Sequence, residues 1–167
     1  MKSIYIIRHS KAVEHAPDFK DFNRSLAESG KQKARLISQT LAEDIGSIDL
    51  IISSPACRAL ETAEIFAEAL HYNPKQIQTA EALYHFGGFD YALEIINSVD
   101  NSISSLAIFG HNPTFNALAW HLCDQFREGL PTSAVVGLDL NTRSWGKIKA
   151  GRANLRIYLT RRGIEAH

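Results

Sequence analysis

IYIIRHSKA, residues 4–12, is the stretch that decides the fold. Ile4, Tyr5, Ile6 and Ile7 follow one another without a polar break, and then Arg8 and His9 arrive together. A short run that is apolar at every position suits a strand covered on both faces, as in the parallel sheet of an α/β protein. Arg8 and His9 have no apolar surroundings to gain inside such a strand, so they belong just past its carboxyl end. Open α/β sheets bind ligands at that edge.

Four further segments read as strands: 48–53, SLAIFG at 105–110, SAVVGLDL at 133–140 and NLRIYLT at 154–160. The last two alternate partly and suit less buried positions. Helical periodicity falls between them. Residues 28–45 put Ala34, Ile37, Leu41 and Ile45 on one stripe. Ser54-Pro55 reads as a helix start, serine capping and proline in the first turn, with Ala59, Ala63, Phe66 and Leu70 facing inward. Residues 88–98 and 113–127 give two more helices, and HNP at 111–113 again sets a proline at a helix start. Alternating strands and helices predict an α/β three-layer sandwich around a mainly parallel central sheet. No repeat or linker divides residues 1–167, which are expected to form a single domain.

Composition narrows the function. Lys plus Arg and Asp plus Glu balance at 18 each in 167 residues. A neutral total argues against broad binding to nucleic acid or a membrane surface, so an anion site must be a local cluster. The apolar run before Arg8 is shorter than the roughly 7–15 residues of a signal-peptide core, and no stretch nears the ~20 of a membrane span. A soluble, cytoplasmic protein is expected. Cys57 and Cys123 are far apart and read as reduced thiols.

Three strand ends carry residues that suit chemistry better than packing. The first ends in Arg8-His9. The second ends in Ser53-Ser54-Pro55, with Arg58 in the following turn. The third ends in Gly110-His111-Asn112. Two histidines and two arginines therefore converge on one rim, toward which two helix N-termini point, and each N-terminus favours an anion.

In this order the segments RHSKA (8–12), RSLAESGKQKA (24–34), SSPACRALETA (53–63) and FGHNP (109–113) resemble the histidine phosphatase, or phosphoglycerate mutase-like, superfamily. Residues 138–162, Trp145 included, resemble the closing strands of its small SixA-like phosphohistidine phosphatase branch. The resemblance spans essentially the whole chain. It implies a phosphoglycerate mutase-like fold and a phosphatase working through a covalent phosphohistidine. His9 would be the nucleophile, with Arg8, Arg58 and His111 on the phosphoryl oxygens. Arg24, and with it Ser10 and Asn112, would line the substrate site. No cofactor and no metal is implied, and the partner would be a phosphorylated protein or a small phosphorylated substrate.

The chain departs from the family in two places. Ala27 stands where a capping threonine is common, and Ser25 with Glu28 offers a capping box instead. The larger relatives carry a proton-donating glutamate in an L-x-E stretch. In EALYHFGG (81–88) His85 falls at that place if Leu83 is the anchor, and its ordinary alternative is a structural or solvent-facing residue. Other chemistry fits less well. His15, His71, His121 and His167 match no motif. His121 with Asp124 is too few ligands for a metal site. Neither cysteine begins a Cys-x5-Arg signature, and no P-loop occurs. A small-molecule phosphatase is the nearest rival. A mutase needs a larger lid than residues 71–104 supply, and a non-catalytic phosphate binder would be expected to lack His9 or an arginine.

Overall fold

Strand β1 (Lys2–Arg8) lies at the centre of the sheet, and its side chains explain why. Ile4 and Ile6 enter one apolar cluster while Tyr5 and Ile7 enter the other, so the strand has no wet face. The computed structural model describes residues 1–14, 20–85 and 88–165. Within them β2 is Leu50–Ser53, β3 Gln78–Thr79, β4 Ser105–Gly110, β5 Val135–Leu140 and β6 Asn154–Leu159. The sheet order is β3-β2-β4-β1-β5-β6. β3, β2, β4 and β1 run parallel, whereas β5 is antiparallel to both β1 and β6.

Helices cover both faces. α1 (Glu28–Ile45) and α2 (Cys57–Ala69) bury Ala34, Ile37, Leu41, Ala63 and Phe66 against one face. α3 (Asp90–Asn97) and α4 (Thr114–Leu122) bury Ala92, Ile96, Phe115 and Leu118 against the other. The three-layer α/β sandwich is thus the architecture the sequence predicts. No helix is long and apolar enough to cross a membrane among the described residues.

The differences from expectation have local causes. β3 and the closing helix α5 (Arg161–Glu165) were not read from the sequence. β3 has two exposed polar residues and no apolar pattern, and α5 has five residues and buries none. α4 ends at Leu122, not 127, because Cys123 turns extended and bridges to Arg152. Helix α2 begins at Cys57, so Ser54 is not its cap. Its hydroxyl accepts from Ala56 N at 3.2 Å and lies 2.8 Å from a ring nitrogen of His111. The Ser25/Glu28 capping box does not form: Ala27 is the α1 cap, with no side-chain cap bond. The described residues between 71 and 104 include β3, two 3₁₀ turns and α3, whose Ala92 and Ile96 belong to the core.

One close approach ties the helices to the end of β1. Gly30, in the first turn of α1, faces the backbone of Lys11 so nearly that an added Cβ would overlap the Lys11 carbonyl. Its own carbonyl accepts the Ser10 hydroxyl at 2.7 Å. Gly30→Ala should gain up to about 1 kcal/mol of helix propensity and lose about 1–3 kcal/mol to overpacking against backbone. We expect a net loss of stability, read as a lower urea midpoint with an unchanged m-value. A midpoint at or above the wild-type value would show that the Lys11 segment yields freely.

Candidate active site

Register builds the site. In the parallel ladder Arg8 pairs with Gly110, and Ser53 with Phe109, so β1 and β4 end level and β2 ends one residue short of them. The next residue of each strand is His9, Ser54 and His111, and these three stand side by side. Two bonds continue the ladder past the strand ends: His9 N donates to Gly110 O and Ser54 N to Phe109 O, both at 2.9 Å. The His9 and His111 rings lie 5.1 Å apart, tilted by 50°.

The protonation of His9 follows from its partner. Nδ1 lies 2.7 Å from the Ser10 carbonyl oxygen. A carbonyl only accepts, so Nδ1 must carry the hydrogen. In the neutral ring that leaves the lone pair on Nε2. Ser10 is itself held. It is fully buried, its N–H donates to Thr62 Oγ1 at 3.0 Å, and its hydroxyl is spent on Gly30. What Ser10 offers the site is its carbonyl, not its side chain.

Burial pushes the His9 imidazolium down to about 4; the Ser10 bond opposes it in part, and repulsion from Arg58, Arg8 and Arg24 adds to the lowering. Burial likewise takes His111 down to about 3, with His9 and Arg58 contributing. Both rings are therefore neutral near pH 7. The His111 pair with the Ser54 hydroxyl is compatible with either ring nitrogen assignment.

Three arginines surround the histidines. Arg8 donates from Nη1 to Leu130 O at 3.0 Å, and its Nε is buried with no hydrogen-bond partner among the described residues. Arg58 is only 5% exposed at its side chain. Arg24 donates from Nε to Val13 O at 2.9 Å. Asn112 is occupied internally, its amide on Leu130 O and its carbonyl on Asn116 N. It shapes the turn behind Arg8 and shares that arginine's acceptor.

Asp21 and Tyr84, absent from the sequence reading, stand at the centre of this cluster. Asp21 binds Arg24 Nη1 through Oδ1 and Arg58 Nη2 through Oδ2, each at 3.0 Å, and its backbone carbonyl accepts Arg58 Nη1 at 2.9 Å. The Tyr84 hydroxyl donates to Asp21 Oδ2 at 3.1 Å. The Tyr84 ring meets Phe22 edge-on at 5.2 Å and His111 edge-on at 5.6 Å. His85 is exposed and its ring is 6.0 Å from Tyr84, so Tyr84 is the member of this turn set against His111. The spacing Asp21-x-x-Arg24 could have signalled the first ion pair, since residues three apart face each other in a helical turn.

The remaining candidates lie apart. His121 packs on the Phe89 ring at 4.5 Å, Cys123 is buried, and His15 and His167 are outside the described residues. Among the described residues no three His, Cys, Asp or Glu side chains gather as a metal site would require. A groove of about 730 Å³ is lined in part by Lys33, Asn112, Leu130, Tyr158 and Arg161, and neither His9 nor His111 is among its walls.

Comparison with known proteins agrees with this geometry. Residues 4–94 match the model of the histidine phosphatase superfamily (branch 1). An uncharacterized protein of Mycobacterium tuberculosis is 28% identical over 162 residues, covering 89% of this chain and 96% of the relative. A crystal structure from Agrobacterium tumefaciens, presented as a candidate phosphohistidine phosphatase SixA, superposes with a TM-score of 0.80 at 27% identity, over 95% of this chain and 97% of that one. The protein histidine phosphatase SixA in complex with tungstate shares the fold, with a TM-score of 0.82 at 21% identity over 97% and 99% of the two chains. The family match runs from the β1 strand through Arg58 to α3, and the chain belongs to the histidine phosphatase superfamily, in its SixA-like branch.

Proposed function

We propose that residues 1–167 act as one phosphatase domain. Its phosphoryl group passes through a covalent intermediate on His9, and its substrate is phosphohistidine in a protein. The observation that carries this reading is the His9 Nδ1–H bond to the Ser10 carbonyl, which leaves Nε2 bare among three arginines. The names of the SixA structures point the same way.

The chemistry follows from the residues. Guanidinium forks match phosphoryl oxygens in shape and charge. Arg8, with an unsatisfied edge, and Arg58 and Arg24, at the same pocket, would hold the oxygens with His111. Nε2 of His9 attacks phosphorus, the P–N bond of the substrate breaks, and the departing imidazole keeps that electron pair. Water then attacks phosphohistidine-9, the new P–N bond breaks and its pair returns to Nε2, while one proton of the water stays on the orthophosphate and the other passes to solvent. Such transfers rest mainly on positioning and charge stabilisation. The residues supply both without a cofactor.

The leaving group favours phosphohistidine over an alkyl ester. An alkoxide needs a proton from the enzyme, help worth about 10²–10⁴-fold. A phosphohistidine ring is protonated at its other nitrogen and leaves as neutral imidazole, whose conjugate acid has a pKa near about 6.5. His85 is the residue whose sequence position suggests a donor, and it is exposed and turned toward Tyr84. The described part of residues 71–104 packs Ala92 and Ile96 into the core, and this supports a rim open to a histidine carried on another protein.

His9→Ala should abolish turnover with the fold intact. Denaturing quench of the wild type with labelled substrate should trap acid-labile, base-stable phosphate, and label on the variant would exclude His9 as nucleophile. Arg58→Ala should lower kcat/KM by about 10²–10³-fold, and Lys11→Ala, at an exposed side chain, should lower it far less. Equal losses would place the phosphoryl group elsewhere.

For substrate choice, kcat/KM should be higher for a phosphohistidine protein than for an alkyl phosphate, in wild type and in His85→Ala alike. A wild-type preference for the ester that His85→Ala removes would make the protein a small-molecule phosphatase with His85 as its acid.

The neutral histidines also set a pH dependence. Both have folded pKa values below the unfolded value of about 6.5, so between that value and about 4 for His9 or about 3 for His111 the unfolded chain binds more protons. Stability is therefore complete above about pH 6.5 and falls as the pH drops, by up to about 1.4 kcal/mol per pH unit for each histidine. Urea unfolding from pH 7 to 4.5 should show this loss, reduced in a His9→Asn/His111→Gln double variant. The same pH slope in both proteins would mean the two rings are not held neutral.

A further inference from the structure

Resting on the reading of this pocket as a phosphoryl site, we propose that Asp21 is its built-in counterion: its carboxylate takes guanidinium edges of Arg58 and Arg24, and a phosphoryl dianion must share or displace it.

Arg58 sets the requirement. Its side chain is 5% exposed, and a buried charge without a partner is strongly unfavourable. Among the described residues both side-chain hydrogen bonds of Arg58 go to Asp21, Nη1 to the backbone carbonyl and Nη2 to the carboxylate. Arg24 gives Nη1 to the other carboxylate oxygen. One carboxylate thus bridges two of the three cations to which a phosphoryl group would bind. It is ionised near neutral pH: partial burial pushes the Asp21 carboxyl up, but the Arg24 hydrogen bond and the Arg58 charge outweigh this and hold it below its ordinary value. Tyr84, donating to Oδ2 from the opposite loop, keeps the carboxylate in place.

Two consequences follow for affinity. An anion entering the pocket meets a resident negative charge and loses part of the guanidinium donors to it. Tight ground-state binding of product does not speed turnover, and Asp21 would hold orthophosphate affinity down. The sign of a substitution is decided by what remains after it. In Asp21→Asn, Arg58 keeps its bond to the residue 21 backbone carbonyl and Arg24 keeps Val13 O, so both arginines stay placed while the competing charge is gone.

The test is calorimetric titration with inorganic phosphate, which needs no knowledge of the natural substrate. Asp21→Asn should bind phosphate about tenfold more tightly than wild type, a change of about 1.4 kcal/mol. Asp21→Glu, which restores the charge, should stay within about twofold of wild type. In turnover assays KM and the inhibition constant of phosphate should fall together in Asp21→Asn, a pattern that loss of structure would not give. If Asp21→Asn is too unstable to titrate, its unfolding midpoint should rise more steeply with phosphate concentration than that of wild type, because the ligand replaces the missing counterion. Unchanged or weaker phosphate binding by Asp21→Asn, or equal tightening by Asp21→Glu, would overturn the counterion role while leaving the phosphoryl site standing. Failure of the wild type itself to bind phosphate would overturn the reading of the site and this proposal with it.

Discussion

The hydrogen bond from His9 Nδ1 to the Ser10 carbonyl is the interaction on which the site depends, and much of the fold serves to hold it. A carbonyl one residue along the chain is a partner only if the backbone there is fixed. It is fixed from two helices at once: Thr62 of α2 takes the Ser10 N–H, and Gly30 of α1 takes the Ser10 hydroxyl. The helices can reach because Gly30 lacks a Cβ where Lys11 passes. The tautomer of one imidazole is thus set by the docking of two helices against the end of one strand.

Burial has two opposite effects at the same place. It removes water from the imidazoles and so favours their neutral, nucleophilic form, with the arginines as a second contribution. The same burial makes a guanidinium costly unless an anion accompanies it. The chain meets the second demand with polar atoms of its own. Leu130 O accepts from Arg8, and Asp21 accepts from Arg58 and Arg24. A chain with no net charge can in this way carry three cations in one pocket.

Those parts of the fold whose cause is local were legible in the sequence. The cores of β1, β2 and β4 are apolar on both faces because helices cover both, so residues 4–7, 50–52 and 106–109 each read as an unbroken apolar run. α1 was readable to its ends because its buried stripe keeps helical spacing up to Gly46, whose φ of 75° closes it. The end of α4 was not readable, since Cys123 and Phe126, three apart, continue the apolar spacing of a helix, and the bridge to Arg152 turns Cys123 out of it. The nearness of Arg8, His9 and His111 was legible because parallel register makes a residue's place at a strand end equivalent to a place in space, and Arg58 follows them in the first turn of the helix after β2. Asp21 and Tyr84 have no such marker. They lie 63 residues apart, on loops outside the sheet, and only tertiary contact brings them together.

The turn at residues 81–85 shows how a one-residue difference changes the chemistry available. Counting from Leu83 draws attention to His85. Leu83 is indeed buried and anchors the turn. The residue directed inward after it is Tyr84, whose ring contacts His111 and whose hydroxyl is committed to Asp21. Partial burial and the neighbouring carboxylate raise the phenol further above its ordinary value, so it holds its proton firmly at neutral pH. A group that keeps its proton and spends it on a carboxylate is suited to ordering the arginines, not to protonating an alkoxide. That arrangement suits a leaving group that brings its own proton, as an imidazole does and an alcohol does not.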